Sequence, residues 1–227
     1  MTISVLVADD QSLVRAGFAT LIDSAQDMRV VGQAIDGADA VRQARSARPD
    51  VVLMDIRMPG TDGLSATELI TSDITMASVK VLVLTTFEAD DYVVAALRAG
   101  ASGFIGKGVE PDVLIEAIRI VAAGESLLSP RATSALIGRF LARPTDGISD
   151  AVHASLDVLT EREREIVALV GHGLSNDDIA VQLHLSPLTV KTHVNRAMTK
   201  LAARDRAQLV VQAYQSGLVK AGEPYGH

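Results

Sequence analysis

Val5-Leu6-Val7-Ala8-Asp9-Asp10 and Val51-Val52-Leu53-Met54-Asp55 are the two stretches whose reading decides the fold. Each is an apolar run of four ending in carboxylates. Such a run, bounded by polar punctuation, reads as a strand buried on both faces, as in a parallel sheet. Carboxylates at the carboxyl ends of neighbouring parallel strands converge, and converging like charges are unfavourable unless a cation or a proton joins them. A hard divalent cation that keeps several waters and accepts one or two carboxylates plus a phosphate oxygen is Mg²⁺. The first expectation is therefore a Mg²⁺ site that handles phosphate.

Working outward, further strand-like runs stand at 30–34, 80–84 and 103–106, beside those at 3–8 and 51–54. Helical spacing separates them. Val14, Phe18, Leu21 and Ile22 form one set; Ala40, Val41 and Ala44 a second; Leu64, Thr67 and Leu69 a weaker third. Leu97 closes a fourth helix, with Gly100 placed for a left-handed cap. Pro111 suits the first turn of a fifth, carrying Val113, Leu114, Ala117, Ile118 and Val121. Five strands alternating with five helices predict an α/β fold, a doubly wound parallel five-stranded sheet over residues 1–124. Right-handed crossovers then bring the functional loops to the strands' carboxyl ends.

The remainder of the chain has a different pattern. A helix is expected over about 131–142, then a tether through Arg143-Pro144-Thr145-Asp146-Gly147 to about Ser155, giving a linker over 125–155. From 156 to 220 all periodicity is helical, and 221–227 reads as a tail. Thr160-Glu161-Arg162-Glu163 is a capping box; Ser175 and Ser186-Pro187 start two more helices, and a last one begins at Asp205. The second domain is thus all-α.

With 227 residues and 48% hydrophobic content the chain can build real cores, and with no Trp and 3% aromatics these must be Val, Leu, Ile and Ala. Zero Cys excludes disulfides and thiolate metal sites and fits a reducing compartment. The start, Met1-Thr2-Ile3-Ser4, lacks a basic n-region and an apolar h-region, and no apolar run approaches the roughly 20 residues of a membrane span. The expectation is a cytoplasmic protein with no membrane partner. The net charge is −7, yet residues 186–206 hold five basic residues against one acidic. A short basic segment in an acidic chain predicts one local anionic partner.

Thr85 ends the fourth run and Lys107 the fifth, so five side chains are expected at one sheet edge: Asp9, Asp10, Asp55, Thr85 and Lys107. That set suits phosphoryl chemistry, with Asp9 and Asp10 holding Mg²⁺, Asp55 as nucleophile, and Thr85 and Lys107 on the phosphoryl oxygens. Singly, each has a plainer reading: an Asp after a strand forms turns, a Thr fills strands, a Lys is a solvated charge.

Residues 1 to about 123 resemble the receiver domain of two-component response regulators. The matching strings are Asp9-Asp10, Asp55-Ile56-Arg57-Met58-Pro59-Gly60 with Gly63, Thr85-Thr86-Phe87, Ala99 to Phe104, and Lys107. The resemblance implies a flavodoxin-like strand order 2-1-3-4-5 and phosphorylation of Asp55 by a sensor histidine kinase. It also implies Mg²⁺ on Asp10, Asp55 and the main-chain carbonyl of Arg57, with Asp9 acting through water, and Thr85 and Phe104 as a switch pair. One departure from the family pattern is glycine on both sides of Lys107, at Gly106 and Gly108. It leads to the expectation of a loosely held lysine and an altered lifetime of the phosphorylated state.

The second domain resembles a LuxR-type helix-turn-helix, so the whole chain looks like a NarL/FixJ-type response regulator. The strings are Leu159 to Glu163, Gly173-Leu174-Ser175-Asn176, Ile179-Ala180, Leu183, Leu185-Ser186, Thr189 to Val194, Lys200-Leu201 and Arg204 to Ala207. The helix from Pro187 buries Val190 and Val194 and turns the opposite side outward. Lys191, Thr192 and Asn195 are expected to read base edges in double-stranded DNA, and Thr189, Arg196 and Lys200 to hold phosphates. His193 has two readings, a backbone contact and packing between helices; the spacing of His172, His184, His193 and His227 suits no metal.

A further departure is Asp177-Asp178, where the family often has basic residues. Weak binding by a single copy is expected, and hence a homodimer on phosphorylation, joined partly through Leu209, Val210, Ala213 and Tyr214. RNA polymerase is a further implied partner. Such a protein is not an enzyme beyond accepting and slowly losing its own phosphoryl group. Two other functions compete with this one. A Mg²⁺-dependent phosphohydrolase of the haloacid-dehalogenase kind needs an Asp where Arg57 stands. A DNA-binding regulator with a phosphorylation-independent receiver has the intact acid cluster against it and the glycine-flanked Lys107 in its favour.

Overall fold

The structure, a computed structural model, describes residues 2–85, 90–124 and 155–219. The chain divides into two compact units, Met1–Leu127 and Leu128–His227. The string Thr86-Phe87, the expected helix at 131–142, the tether, the boundary between linker and first domain, and the tail at 221–227 lie outside the described residues.

In the first unit the strands are β1 (Ile3–Ala8), β2 (Met28–Ala34), β3 (Val51–Asp55), β4 (Lys80–Thr85) and β5 (Gly103–Gly106). They alternate with α1 (Ser12–Ser24), α2 (Gly37–Ala47), α3 (Gly63–Ser72), α4 (Asp90–Arg98) and α5 (Pro111–Ala122). All strand pairs are parallel, in the order β2-β1-β3-β4-β5. The expected five-stranded, doubly wound sheet is what forms.

The two-residue period of the strands divides the core in two. Val5, Val7, Val51, Leu53, Leu82 and Leu84 point to one face, against Ile22, Leu114, Ile118 and Val121 of α1 and α5. Leu6, Ala8, Val52, Met54, Val81 and Val83 point to the other, against Ala40, Ala44, Ala66, Ile70 and Ala96 of α2, α3 and α4. Every residue of β3 is buried, which explains why its sequence is apolar without alternation. At the end of α4, Gly100 takes φ 93°, and its successor Ala101 donates to Ala96 O, the left-handed cap expected there.

The weak spacing assigned to α3 needs correction. Gly63, Ala66, Thr67 and Ile70 are buried, while Leu69 is exposed. The reason is proximity. A Cβ on Gly63 would lie 1.8 Å from Asp55 O, and the Gly63 N–H donates to Ile56 O at 2.8 Å. The helix starts so close to the sheet that Gly63, Ala66 and Thr67 sit beneath its first turns, while Leu64 packs partly buried against the core and Leu69 turns outward. Val113 of α5, also expected inside, is exposed.

In the second unit a 3₁₀ turn (Ser155–Val158) precedes α6 (Glu161–Gly171), α7 (Asn176–Leu183), α8 (Pro187–Lys200) and α9 (Arg206–Gln215). The caps are those expected: a capping box from Thr160 and Glu163, another from Ser175 and Asp178, Ser186 before Pro187, and Asp205 on α9. Ile166, Leu169, Val170, Ile179, Val190, Val194 and Ala197 are buried. Leu209, Val210 and Ala213, expected at a dimer contact, are also buried, and α9 packs mainly on α6. A short domain with three other helices uses its last helix to close its own core. Among the described residues no helix is long and apolar enough to cross a membrane.

Because its Cβ would overlap the Asp55 main chain, Gly63→Ala is expected to destabilise the first unit by about 1–3 kcal/mol, the usual range for overpacking. Chemical denaturation of the full chain checks this, and an unchanged midpoint would contradict it.

Candidate functional site

The carboxyl ends of β1, β3, β4 and β5 meet at a cavity of about 300 Å³ lined by Asp10, Gln11, Asp55, Ile56, Arg57, Thr85, Tyr92 and Lys107. Asp55 is the last residue of β3 and is buried to 5% exposure; Thr85, the last of β4, is also buried. Lys107 directly follows β5, and its N–H extends the sheet by donating to Thr85 O at 2.8 Å.

Asp9 is fully buried. Its Oδ1 accepts from the Gln11 N–H at 2.9 Å, its Oδ2 lies 2.7 Å from Lys107 Nζ, and its carbonyl accepts from Arg15 at 2.7 Å. Lys107 Nζ also lies 2.9 Å from Asp55 Oδ2. One ammonium thus stands between two carboxylates. The expected looseness of Lys107 is not what forms: its side chain is 10% exposed and fixed by two ion pairs, while Gly106 continues β5. Ion pairing at the tip and main-chain pairing at the base outweigh the freedom of the flanking glycines.

Burial pushes the Asp55 carboxyl up, with the Asp9 charge adding to it and the Lys107 ammonium opposing. Burial alone would lower the Lys107 pKa, but the two carboxylates together raise it. Asp10 is exposed at the mouth, and carboxylate oxygens of Asp9, Asp10 and Asp55 lie within 4.8 Å of one another. Three carboxylates outnumber the two cations that line the cavity, Lys107 and Arg57. An all-oxygen donor set with that excess can hold a divalent metal ion, and oxygen ligands suit a hard one.

Two residues at the cavity carried no sequence signal. Tyr92 comes from α4, and its hydroxyl accepts from Arg57 Nη2 at 3.0 Å, with the guanidinium 5.5 Å from its ring centre. Gln11 closes the Asx turn on Asp9. Phe104 in β5 is partly buried against the core that includes Val83 and Ala101.

On α8 the residues assigned to DNA separate into two groups. Lys191, Thr192, Asn195 and Arg196 are exposed, opposite buried Val190, Val194 and Ala197. Thr189 is half-buried, sharing a hydrogen bond with the Ser186 hydroxyl. The Thr192 hydroxyl donates to Leu188 O at 2.9 Å. Lys200 has a different task from the phosphate contact expected of it. Its Nζ lies 2.6 Å from Oε2 of buried Glu163, the same atom that accepts the Thr160 N–H in the capping box. Lys200 and that N–H hold the Glu163 carboxyl down to about 2, against burial.

The basic segment is therefore less available than its charge suggests. Arg206 is buried and donates to Asn176 Oδ1 and Leu174 O, tying α9 to the turn before α7. Burial also lowers the Arg204 pKa. His193 packs half-buried, with a buried Nδ1 that has no hydrogen-bond partner, which favours its packing role.

The comparisons with known proteins follow this division. Residues 5–119 match the response regulator receiver domain, and residues 157–213 match the bacterial regulatory proteins of the luxR family. The chain is 40% identical over 220 residues to the transcriptional regulatory protein YxjL of Bacillus subtilis (strain 168), covering 96% of this chain and 98% of that one. It is 37% identical over 221 residues to the response regulator protein VraR of Staphylococcus aureus (strain NCTC 8325 / PS 47), covering 97% and 100%. Among solved structures, a LuxR-family two-component response regulator from Aurantimonas sp. SI85-9A1 is similar at TM-score 0.52 and 32% identity, over 56% of this chain and 89% of that one. The signal receiver domain of NarL from Mycobacterium tuberculosis is similar at TM-score 0.52 and 32% identity, over 55% and 98%.

Replacing Lys200 by Met is expected to lower the stability of the second unit by about 1–2 kcal/mol, less than for a fully buried pair because Lys200 is 36% exposed. The salt dependence of DNA binding should stay unchanged; a slope reduced by about one would instead assign Lys200 to a phosphate. Glu163 is depressed from 4.5 to about 2, so its contribution is complete above pH 4.5 and is lost as pH falls toward 2. Thermal melts of Glu163→Gln across that interval should lack this acid-dependent loss, and an acid profile identical to wild type would contradict the assignment.

Proposed function

The chain belongs to the response regulators that join a receiver domain to a luxR-family DNA-binding domain, and from that premise we propose that phosphorylation of Asp55 controls where and how tightly it binds DNA. The observation that carries this is the Asp55 carboxylate at the floor of the cavity, 2.9 Å from Lys107 Nζ and beside Asp9 and Asp10. A buried carboxylate at the floor of an open cavity, held on one side by the Lys107 ammonium, is placed to accept a phosphoryl group rather than to form a turn.

The donor is a phosphohistidine on a sensor histidine kinase. An Asp55 carboxylate oxygen attacks phosphorus, the P–N bond breaks, and its electron pair leaves with the imidazole, which takes up a proton. The product is a mixed anhydride, which attack by water on phosphorus returns to phosphate and carboxylate. Asp10, Asp55 and the Arg57 main-chain carbonyl would hold Mg²⁺, with Asp9 acting through water. Mg²⁺ bound there supplies positive charge for the phosphoryl oxygens. Lys107 pairs with one of those oxygens once Asp55 is phosphorylated, which loosens its bond to Asp55. Thr85 bonds a second oxygen, and the Phe104 ring follows into the space Thr85 leaves.

The response is homodimerisation and sequence-specific binding to double-stranded DNA that controls transcription, with RNA polymerase as a further partner. Lys191, Thr192 and Asn195 read bases while Thr189 and Arg196 hold phosphates. Lys200 holds α8 in place through Glu163. With Lys200 and Arg206 committed inside the unit and acidic Asp177 and Asp178 on α7, one copy binds weakly. Two copies on two half-sites supply the missing affinity. Because Leu209, Val210 and Ala213 are buried, the contact between copies uses other surfaces.

Incubating the full chain with acetyl phosphate and Mg²⁺ tests this. The intact mass should rise by one phosphoryl group in wild type and stay constant in Asp55→Asn. Affinity for a selected DNA duplex should rise about 5- to 100-fold in wild type only, the usual span of a coupling free energy. Equal phosphorylation of Asp55→Asn, or equal DNA affinity with and without the phosphoryl group, would overturn the proposal.

A further inference from the structure

Leu188 is 74% exposed, in the first turn of α8, and nothing in the receiver chemistry or the core accounts for it. A single exposed leucine is ordinary on a protein surface. This one is set apart by where it points. At about 100° per residue, Thr192 stands about 40° from Leu188 around the helix and Asn195 about 20°. Val190, Val194 and Ala197, all buried, lie on the opposite side. Leu188 therefore occupies the centre of the outward stripe, with Lys191 on one flank and Arg196 on the other.

Three further features bear on what meets it. The charged side chains flanking Leu188 on this face, Lys191 and Arg196, are both exposed and both cationic, so the partner of this face is anionic. The N-terminal turns of a helix in the major groove face base edges rather than phosphates. The Thr192 hydroxyl already donates its proton to Leu188 O, so Thr192 has no donor left for a base. Among base edges in that groove, the one apolar group is the 5-methyl of thymine.

We propose that Leu188 is a specificity-determining residue that packs against a thymine methyl in the bound DNA. The inference rests on α8 being the helix that reads bases. Leu188 is the large hydrophobic side chain that α8 exposes, and its contact selects A·T over G·C at one position without a hydrogen bond. This suits a domain with few free cations, where sequence discrimination has to come from close contacts in the groove.

Uracil in place of thymine removes the methyl and leaves every hydrogen-bonding group intact. The probe is a duplex selected from a random pool by the full-length wild-type chain with acetyl phosphate present, with each thymine replaced in turn by uracil. Wild type should lose about fourfold in affinity at one thymine per half-site, the equivalent of unburying one methyl. Leu188→Ala, whose melting temperature should match wild type because the side chain is exposed, should bind the thymine duplex about as weakly as wild type binds the uracil one. It should show no further loss on that substitution. If every uracil is neutral for wild type, or Leu188→Ala keeps the same penalty, the inference is overturned while base reading by α8 stands. If wild type selects no sequence at all, α8 does not read bases and both fall.

Discussion

The ammonium of Lys107 sits between the Asp9 and Asp55 carboxylates, and the carboxyl edge of the sheet is organised around it. Three strands must deliver their ends to one place for this to occur, and the cost of gathering buried carboxylates is offset there. Asp9 supplies the fixed half of the arrangement. Its carboxylate is divided between Lys107 and the Gln11 N–H, and its carbonyl accepts from Arg15. Asp55 supplies the variable half, since a phosphoryl group there would move the negative charge that faces the lysine from the carboxylate to the phosphoryl oxygens. A site braced on one side and reactive on the other can pass a chemical change at one residue to the position of another.

Much of this was legible in the sequence because strand ends are legible. Apolar runs terminated by Asp9, Asp55, Thr85 and Lys107 define both the sheet and the address of the cavity, since a parallel sheet allows these residues few other places to go. The cap residues Thr160, Ser175, Ser186 and Asp205 were equally readable, because capping is a local interaction between neighbours in sequence. The phase of α3 was not. It depends on how closely the Gly63 backbone approaches Asp55, and close packing selects small residues whose burial leaves little trace in hydrophobicity. Tyr92 at the cavity rim was invisible for a related reason, as its place is set by contact with Arg57 across 35 residues of chain.

Charge was the least transferable signal. A count of basic residues along 186–206 treats all five alike, whereas the fold commits Lys200 to Glu163 and buries Arg206 against Asn176 and Leu174. The same lysine that sequence pattern assigns to a phosphate holds α8 against α6. The glycines beside Lys107 misled in the opposite direction. Backbone permissiveness matters where nothing else fixes a residue, and here two carboxylates and a main-chain hydrogen bond do.

Lys107 is a resident cation between two carboxylates, and metal titration reads that directly. Calorimetric titration of Mg²⁺ into the unphosphorylated full chain, wild type against Lys107→Met, should show tighter binding in the variant. About tenfold is the order expected when a unit charge a few ångströms from a divalent ion is removed, even at high effective dielectric. Unchanged or weaker Mg²⁺ binding in a folded Lys107→Met chain would contradict the placement of that ammonium between Asp9 and Asp55 as the organising interaction of the site.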